Sequence, residues 1–278
     1  MTQNVTNKNN LFFFDNAWFD ENPKIIGPDT HAFWMSSVVF DGARAFNGLV
    51  PDLDLHCNRL VRSAKIMGLE PSLNGQKVFE RCCEGLRKLP ASEYYIRPAF
   101  YAEEGFVTAD PQTTQFVLSI LEMPLPRFTG FSACVSSFRR PSRDMAPTDA
   151  KASCLYPNSA RALREAHLKG FDNAILKDAN GNVTELATAN LWIVKDGTAV
   201  TPAANGTFLA GITRNRILSL LRNAHINVEE RVVSLHEVLE AEEAFSTGNY
   251  GKVLPITSIE SHALKTGPVA SRAYELYM

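Results

Sequence analysis

The stretch FDNAILKDANGNVTELATANLWIVKDGTAVTP, residues 171–202, has the clearest fold signal in the chain. It consists of short runs rich in strand-forming residues. Two pairs, Asn180-Gly181 and Asp196-Gly197, separate these runs, and both pairs are typical of tight hairpin turns. The stretch therefore predicts a meander of β-hairpins.

Strands and helices are predicted on both sides of this meander. Helical spacing of apolar residues or end signals predict helices over 54–69, 75–89, about 158–169, 211–226 and a short one from 236. Strand-like runs cover 10–20, 36–46, 93–104, 113–124 and 131–140. Asp54 is the expected N-cap of the first helix, and Gly170 is the expected C-cap of the third. This mixed inventory predicts an α+β protein.

The stretch EMPLPRFTG, residues 122–130, is the best candidate for a linker, because it carries two prolines and a glycine. It divides the chain into an N-terminal domain over 1–122, a linker over 123–130 and a C-terminal domain over 131–278. A length of 278 residues suits one large domain or two of medium size.

Composition excludes several functional classes. A formal charge of −2 gives no electrostatic reason to expect a nucleic acid or a membrane surface as partner. The first residues have the pattern of neither a signal peptide nor a membrane span. Five cysteines without a CxxC pair favour reduced thiols in a cytoplasm. Six scattered histidines give little support for a metal site.

Lys151 and Glu185 are candidates for chemistry, although neither is decisive alone. Lys151 has the small neighbours Ala150, Ala152 and Ser153, which would let a planar cofactor approach its amine. Taken alone, it is better explained as a surface loop lysine. Glu185 could hold the nitrogen of a pyridinium ring protonated. Exposed glutamates are nevertheless common in strands.

Further signals come from two glycine-bearing turns and one strand arginine. LAGITRNRI, residues 209–217, places Gly211 before a helix start, where free N–H groups favour a phosphate. STGNYG, residues 246–251, could wrap the same phosphate. A capped helix and a simple turn explain both stretches equally well. Arg97, in a strand with aromatic neighbours, would need a carboxylate partner if it were buried, and a structural salt bridge is the alternative.

Seven motifs occur together and in order. They are FDGARAF (40–46), NRL with Arg59, YIRP (95–98), AK with Lys151 before Tyr156, TELATANL (184–191), LAGITR (209–214) and FSTGNY (245–250). In this combination the chain resembles the fold-type IV pyridoxal-phosphate enzymes and, among them, the branched-chain amino acid aminotransferases. The resemblance runs from about residue 12 to residue 263. It implies a D-amino acid aminotransferase-like fold, with a small N-terminal α/β sandwich and a larger, β-barrel-like C-terminal domain.

The resemblance also implies a cofactor and the residues that hold it. Lys151 would form the internal aldimine with pyridoxal 5′-phosphate and would later move the proton between the substrate Cα and the cofactor C4′. Glu185 would pair with the pyridine nitrogen, and Tyr156 would hydrogen-bond the ring hydroxyl. The other cofactor contacts would come from Arg59, Asn190, Ile212, Thr213, Thr247, Gly248 and Asn249.

Substrate contacts and assembly follow from the same resemblance. Tyr95 and Arg97, with backbone N–H groups near Asn249 and Tyr250, would handle the substrate carboxylate. The residues expected around the substrate side chain are Phe40, Gly42, Thr188 and Tyr250. Family members are homodimers with the site at the interface, which implies that the partner subunit contributes part of the pocket.

Several positions depart from the usual branched-chain pattern. Met35 lies where a tyrosine is frequent, Asp41 replaces a glutamate, and Thr188 replaces a common glycine. Ser153 and Cys154 stand in place of two glycines, and Asn249-Tyr250 replaces a Thr-Ala pair. These changes concern the substrate side chain, since each methylene in a pocket changes selectivity by about 1–3 kcal/mol.

The resemblance implies ping-pong transamination of L-leucine, L-isoleucine and L-valine with 2-oxoglutarate. The same scaffold also serves (R)-selective amine transaminases, D-amino acid aminotransferases and aminodeoxychorismate lyases, and these activities stay open. A non-catalytic pyridoxal-phosphate-binding protein is a further alternative. The presence of both Lys151 and Glu185 speaks against it.

Overall fold

The computed structural model describes residues 9–278 and divides the chain into two compact units. Of the described residues, the first unit comprises 9–125 and Ala150–Cys154, and the second comprises Pro126–Asp149 and Leu155–Met278. The chain thus returns to the first unit for one short segment. The domain limits expected from the sequence, 1–122 and 131–278, stay a prediction. They did not include this return of the chain.

The first unit is a six-stranded antiparallel sheet with three helices. Its elements are β1 (Leu11–Phe14), β2 (Ala17–Phe19), α1 (His31–Met35), β3 (Val38–Phe40), β4 (Ala43–Ala45), α2 (Leu53–Ile66), α3 (Gly75–Arg87), β5 (Tyr94–Ala102) and β6 (Thr114–Glu122). The strand order is β2-β1-β6-β5-β3, and β4 also pairs with β5. The four strand regions predicted in this part are confirmed, and the first two regions each contain two short strands.

The core of the first unit forms where α2 and α3 turn their apolar faces to the sheet. Leu60 and Val78 on the helices lie in one buried cluster with Ile96 and Ile120 on the strands. The helical spacing predicted from the sequence is therefore confirmed. The prediction that Asp54 caps α2 is wrong, because the helix already begins at Leu53. Asp54 lies in the first turn, where its charge still interacts favourably with the helix dipole.

The second unit is built on a nine-stranded mixed sheet. Its elements are β7 (Phe131–Arg139), α4 (Tyr156–Leu168), β8 (Asn173–Lys177), β9 (Val183–Leu186), β10 (Asn190–Lys195), β11 (Thr198–Pro202), α5 (Ile212–Asn223), β12 (Val228–Arg231), α6 (Leu235–Leu239), β13 (Glu243–Gly248), β14 (Lys252–Ile259), β15 (His262–Ala263) and α7 (Pro268–Tyr277). The strand order is β12-β11-β10-β13-β14-β7-β8-β9, and β15 pairs with β14. The prediction of an α+β protein is confirmed.

The two predicted hairpins exist, but the prediction that they form one meander is wrong. β8 pairs with β9, and β10 pairs with β11 across Asp196 and Gly197, which both have a positive φ. The second neighbour of β10 is β13, however, and β9 lies at the far end of the strand order. A turn signal fixes only the pairing across that turn, whereas β10 is buried along almost its whole length and requires partners on both sides.

Gly170 ends α4 as the sequence predicted, with a shift of one residue. Lys169 is the cap, and Gly170 follows it with a φ of 84°. The N–H of Gly170 donates to the carbonyl of His167, and the N–H of Phe171 donates to the carbonyl of Ala166. This pair of bonds is a Schellman motif, which glycine favours because it has no Cβ. Over residues 9–278, no helix is both long and apolar enough to span a bilayer.

Candidate active site

A buried charge cluster lies in the first unit, at the break between β3 and β4. Asp41 is fully buried there and accepts two hydrogen bonds from Arg59, from Nε to Oδ2 at 2.7 Å and from Nη2 to Oδ1 at 2.8 Å. The ring nitrogen Nδ1 of His56 also lies 2.7 Å from Oδ1. The break lies opposite Pro98, whose carbonyl accepts the N–H of Asp41. A proline without an N–H is tolerated at such an interruption of the ladder.

The charge of Asp41 is maintained by its neighbours. Burial alone would raise the pKa of this carboxyl. The Arg59 guanidinium and the His56 ring outweigh burial and hold the pKa of Asp41 well below its usual range. Arg59, predicted as a phosphate contact, therefore has two of its nitrogens fixed by a permanent carboxylate.

Lys151 belongs to the segment that returns to the first unit. Its N–H donates to Ser63 Oγ at 3.0 Å, and its carbonyl accepts the N–H of Phe40 at 3.1 Å. The Lys151 Nζ lies 4.8 Å from the centroid of the Phe40 ring. These contacts place the amine beside Phe40 and fix the backbone that carries it.

The small neighbours of Lys151 have a second physical explanation. Ala150 and Ala152 are fully buried in the apolar cluster of the first unit, and Ala152 forms a β-bridge with Val39. Larger side chains would therefore be overpacked at these two positions. The residues are small because they fill a core, which the interpretation based on cofactor access did not consider.

Tyr95 and Arg97 lie on the same side of β5. The strand alternates, so that Tyr94 and Ile96 are buried while Arg97 is exposed. Arg97 lies in the sheet, paired with Ser119, but it is exposed, so the condition under which it would need a buried partner is not met. Its position leaves the guanidinium accessible to a solute.

Glu185, at the third position of β9, is held by two side chains of the second unit. Arg140 Nε lies 3.4 Å from Oε1 of Glu185, and Asn190 Nδ2 donates to Oε2 at 3.2 Å. The Glu185 side chain is 13% exposed. Arg140 also donates to the carbonyl of Thr207, which fixes the guanidinium. Both oxygens of the Glu185 carboxylate are thus in contact with side chains of the second unit.

Asn190 links Glu185 to the start of α5. Its Nδ2 also donates to the carbonyl of Leu209, and its Oδ1 accepts the N–H of Gly211 at 3.1 Å. Gly211 precedes α5, and no side chain caps this helix. The N–H groups at Ile212 and Thr213 thus begin a helix that has no acidic residue in its first turn and no cap from a described side chain. A Cβ on Gly211 would lie 2.1 Å from Asn190 Oδ1, so glycine permits this close approach.

The predicted phosphate turn is the hairpin between β13 and β14. Gly248 pairs with Lys252 across it, and Thr247 Oγ1 accepts a hydrogen bond from the indole Nε1 of Trp192 at 3.0 Å. Thr247 also lies opposite Asn190 in the register of β13 with β10. The turn is therefore tied to the same residue that holds Glu185 and the start of α5.

Three of the residues predicted to contact cofactor or substrate line a groove of about 570 Å³ in the second unit. Thr188, Gly248 and Tyr250 line it together with Asn173 and His167. Thr188 Oγ1 accepts a hydrogen bond from Asn173, and Tyr250 is 60% exposed. Thr188 and Tyr250, two positions that depart from the usual branched-chain pattern, therefore line the same groove.

Two further residues predicted for the site, Tyr156 and Gly42, lie in different units. Tyr156 begins α4 in the second unit, and Gly42 is buried beside Asp41, whose carboxylate accepts its N–H. Among residues 9–278, no group of three or more His, Cys, Asp or Glu side chains is placed to hold a metal ion.

Sequence reasoning missed Arg140 and Lys252. Arg140 follows Arg139 in the stretch FRRP at the end of β7, and two adjacent arginines there were the available signal. Lys252 is nearly fully buried at the first position of β14, and its sequence context resembles an ordinary turn. Only tertiary structure reveals that both side chains face predicted site residues.

Comparison with known proteins identifies the family. Residues 38–259 match the amino-transferase class IV family. The chain belongs to this family. An aminotransferase from Brucella abortus bound to the cofactor PLP is 44% identical to this aminotransferase, with a TM-score of 0.95 over 97% of this chain and 98% of that one.

Two further relatives carry a more specific name. A probable branched-chain-amino-acid aminotransferase of Aquifex aeolicus is 33% identical over 266 residues, 89% of this chain and 85% of that protein. The branched-chain aminotransferase of Thermoproteus uzoniensis, solved with norvaline, is 31% identical with a TM-score of 0.89, over 96% of this chain and 93% of that one. The fold-type IV resemblance inferred from the motifs is confirmed.

Proposed function

We propose that this aminotransferase uses pyridoxal 5′-phosphate to transfer the amino group of L-leucine, L-isoleucine and L-valine to 2-oxoglutarate. Family membership and relatives named as branched-chain aminotransferases support the proposal. One structural observation carries it. The chain of hydrogen bonds from Glu185 through Asn190 to Gly211 joins a carboxylate suited to a ring nitrogen with a helix start suited to a phosphate.

The residues of the second unit fit the cofactor. The uncapped start of α5 offers N–H donors to a phosphate. The Asn249 Nδ2 atom is buried and has no hydrogen-bond partner among residues 9–278, so it is a further donor for an anion. The carboxylate of Glu185, which lies 3.4 Å from Arg140 Nε, suits a protonated pyridine nitrogen. When bound, the cofactor ring would serve as a sink for the electrons of the substrate Cα–H bond.

Within this proposal, each residue has a distinct chemical task. Lys151 Nζ would bind the cofactor covalently and carry the proton to and from the substrate Cα. Glu185 would hold the proton on the ring nitrogen, because a carboxylate beside that atom favours its cationic form. Tyr156 would hydrogen-bond the ring hydroxyl. Arg59, held in place by Asp41, would bind the phosphate together with Ile212, Thr213 and the Thr247–Asn249 turn.

The substrate contacts are also part of the proposal. Arg97 is exposed, so its guanidinium is free of the sheet and can pair with a carboxylate. Tyr95 lies on the same face of β5 and would support that contact. Phe40 and Gly42 would border the substrate side chain. Thr188 and Tyr250 line the groove of the second unit and would restrict its shape.

Amino transfer to 2-oxoglutarate is the direct test. We expect initial rates with L-leucine, L-isoleucine and L-valine to exceed those with D-alanine and (R)-1-phenylethylamine. A preference for D-alanine or for the amine would reassign the substrate, and a protein that takes up no pyridoxal phosphate would refute the proposal. In the same assay, Glu185→Gln should lower kcat by about a hundredfold, the scale of one preorganised electrostatic contact.

We further propose that the protein acts as a homodimer in the cytoplasm, in the synthesis of branched-chain amino acids. The first unit exposes a group of large apolar side chains, Phe33, Trp34, Phe106 and Val107, of which Phe106 is 78% exposed. Monomeric proteins rarely leave such patches uncovered. Light scattering on the purified protein should give twice the chain mass, and a monomer at all concentrations would contradict this assembly.

A further inference from the structure

Lys252 occupies a position that is unfavourable for a lysine. The residue is 1% exposed, and its backbone has a φ of 59° at the first position of β14. A left-handed backbone favours glycine or asparagine, and burial of an ammonium is costly unless it is paired. Both costs fall on one residue of the hairpin that follows Gly248. A specific contact of the side chain would explain why a lysine occupies this position.

That contact is with Asn249. Lys252 Nζ donates to Asn249 Oδ1 at 2.9 Å, within the same turn. An ammonium has only donors, so the atom facing it must be the amide oxygen, and this fixes which way the Asn249 amide points. Lys252 Nζ also lies 5.6 Å from the centroid of the Tyr277 ring, on α7. The ammonium therefore has contacts with both the turn and the last helix.

The consequence concerns the other end of the amide. With Oδ1 bound to Lys252, the donor group Nδ2 is directed away from the lysine. Nδ2 is buried, and none of residues 9–278 accepts a hydrogen bond from it. A buried donor without an acceptor is costly, and an anion made only of acceptors would satisfy it.

The neighbourhood of this donor suits a phosphate. Thr247, two residues before Asn249, lies opposite Asn190 in the sheet, and Asn190 in turn holds Gly211 at the start of α5. The turn and the helix start are thus joined through one residue. The positive end of the helix favours an anion here, and the ammonium of Lys252 polarises the Asn249 amide that it holds.

We propose that Lys252 is a positioning residue for the phosphate of the cofactor. Its ammonium orients Asn249 so that Nδ2 donates to a phosphate oxygen, and its charge strengthens that donor. This inference rests on the proposed function, since it assigns the phosphate of pyridoxal 5′-phosphate as the ligand. Lys252 is called a positioning residue because it acts on the phosphate through Asn249.

Equilibrium binding to the apoprotein separates this role from a purely structural one. Pyridoxal phosphate and pyridoxal differ only in the phosphate, so the ratio of their dissociation constants isolates the contribution of the phosphate. We expect Lys252→Met to weaken binding of pyridoxal phosphate about tenfold, the scale of one hydrogen bond to a charged group, and to leave pyridoxal binding unchanged. Lys265→Met removes an exposed lysine of the same unit and should change neither constant.

Asn249→Asp provides a second variant, which does not depend on tolerance of a methionine at position 252. Its carboxylate keeps Lys252 paired, but it has no N–H and repels a phosphate. It should fold and lose at least as much affinity for pyridoxal phosphate as Lys252→Met. In the double variant Lys252→Met/Asn249→Ala, the loss should equal that of Asn249→Ala alone, because the lysine acts through the asparagine.

The outcomes distinguish the two proposals. If the wild-type protein binds pyridoxal phosphate and Asn249→Asp binds it equally well, the positioning role is refuted and the proposed function survives. Additive losses in the double variant, or equal losses for pyridoxal and its phosphate, would also refute the role. A wild-type protein that binds neither compound would overturn the proposed function and this inference together.

Discussion

Asp41 is the residue on which the buried charges of the first unit depend. It is fully buried and pairs with Arg59, so Asp41→Asn would leave a guanidinium inside the protein without its counter-charge. Loss of one partner of a buried ion pair costs about 3–5 kcal/mol. We therefore expect Asp41→Asn to unfold at a clearly lower urea concentration than the wild type.

The matched control for this variant is Asp54→Asn on the exposed first turn of α2, which should cost less than about 1 kcal/mol. The pH dependence follows from the sign of the shift. The folded pKa of Asp41 is lowered, so its contribution is complete above the usual aspartate range and declines as the pH falls below that range. Equal urea midpoints for the two variants at neutral pH would contradict this account.

Single residues differ in how far their sequence context reveals their role. Glu185 was uninformative alone, because exposed glutamates are common in strands, and only the joint occurrence of the seven motifs made it a candidate. The exposure of Arg97 stayed open, since the burial of a strand residue depends on which face of β5 meets the helices. Arg140 was missed because its partner Glu185 is distant in the chain and no local pattern connects the two.

At the scale of elements, the start of α5 depends on the absence of a side chain at Gly211. A Cβ there would displace the Asn190 amide that bonds the Gly211 N–H. We expect Gly211→Ala to weaken binding of pyridoxal phosphate about tenfold, through loss of that hydrogen bond and of the helix start it orients.

Gly197→Ala is the comparison for Gly211→Ala. Gly197 has a φ of 69° and no neighbouring atom within 4 Å of the added Cβ, so alanine there costs about 1 kcal/mol of stability through backbone strain alone. Cofactor affinity should be unchanged in this variant. The account of α5 would fail if both alanine variants reduced affinity alike.

Glu165 joins α4 to β7 and gives this docking a defined pH dependence. Its carboxylate accepts bonds from Ser136 Oγ, the Ser137 N–H and Lys169. Burial alone would raise the pKa of Glu165, but these hydrogen bonds outweigh burial and lower the pKa to about 2. Glu165→Gln should cost about 1 kcal/mol at neutral pH, measured as a shift of the urea midpoint.

Because the folded pKa of Glu165 is depressed, the advantage of the wild type over Glu165→Gln is present above the usual glutamate pKa of about 4.3. It should shrink as the pH falls from there towards about 2. A difference between the two proteins that stays constant from neutral pH to pH of about 3 would show that the carboxylate charge is not the cause.

The positions of strands and helices were easier to predict from the sequence than the pairing of the strands. Asp196-Gly197 fixed the β10–β11 hairpin because only residues that tolerate a positive φ fit its turn. The pairing of β10 with β13 joins residues 49 to 57 positions apart, and no turn sequence between them indicates it. Local sequence therefore predicted most strands and helices, whereas the order of strands in the second sheet required the tertiary structure.

At the scale of the whole molecule, the return of Ala150–Cys154 makes the first unit discontinuous in sequence. This segment supplies two fully buried alanines, the acceptor for the Phe40 N–H and the donor to buried Ser63. A fragment ending at Leu125 would lose these contacts, and each unpaired buried polar group costs about 1–3 kcal/mol.

We therefore expect residues 1–125 alone to unfold at lower urea concentration than the same fragment joined by a flexible linker to residues 148–156. Circular dichroism during urea unfolding measures the difference. A fragment of 1–125 that is as stable as the joined version would mean that the returning segment contributes nothing to the core of the first unit.

The central claim is that Lys151 binds the cofactor covalently and releases it when a branched-chain amino acid reacts with the cofactor. Borohydride reduction of the loaded protein, followed by mass spectrometry of its peptides, tests this directly. The account predicts a phosphopyridoxyl group on Lys151, loss of this label after prior addition of L-leucine, and its return when 2-oxoglutarate follows. A label on another lysine, or a Lys151 label that L-leucine leaves unchanged, would contradict the account.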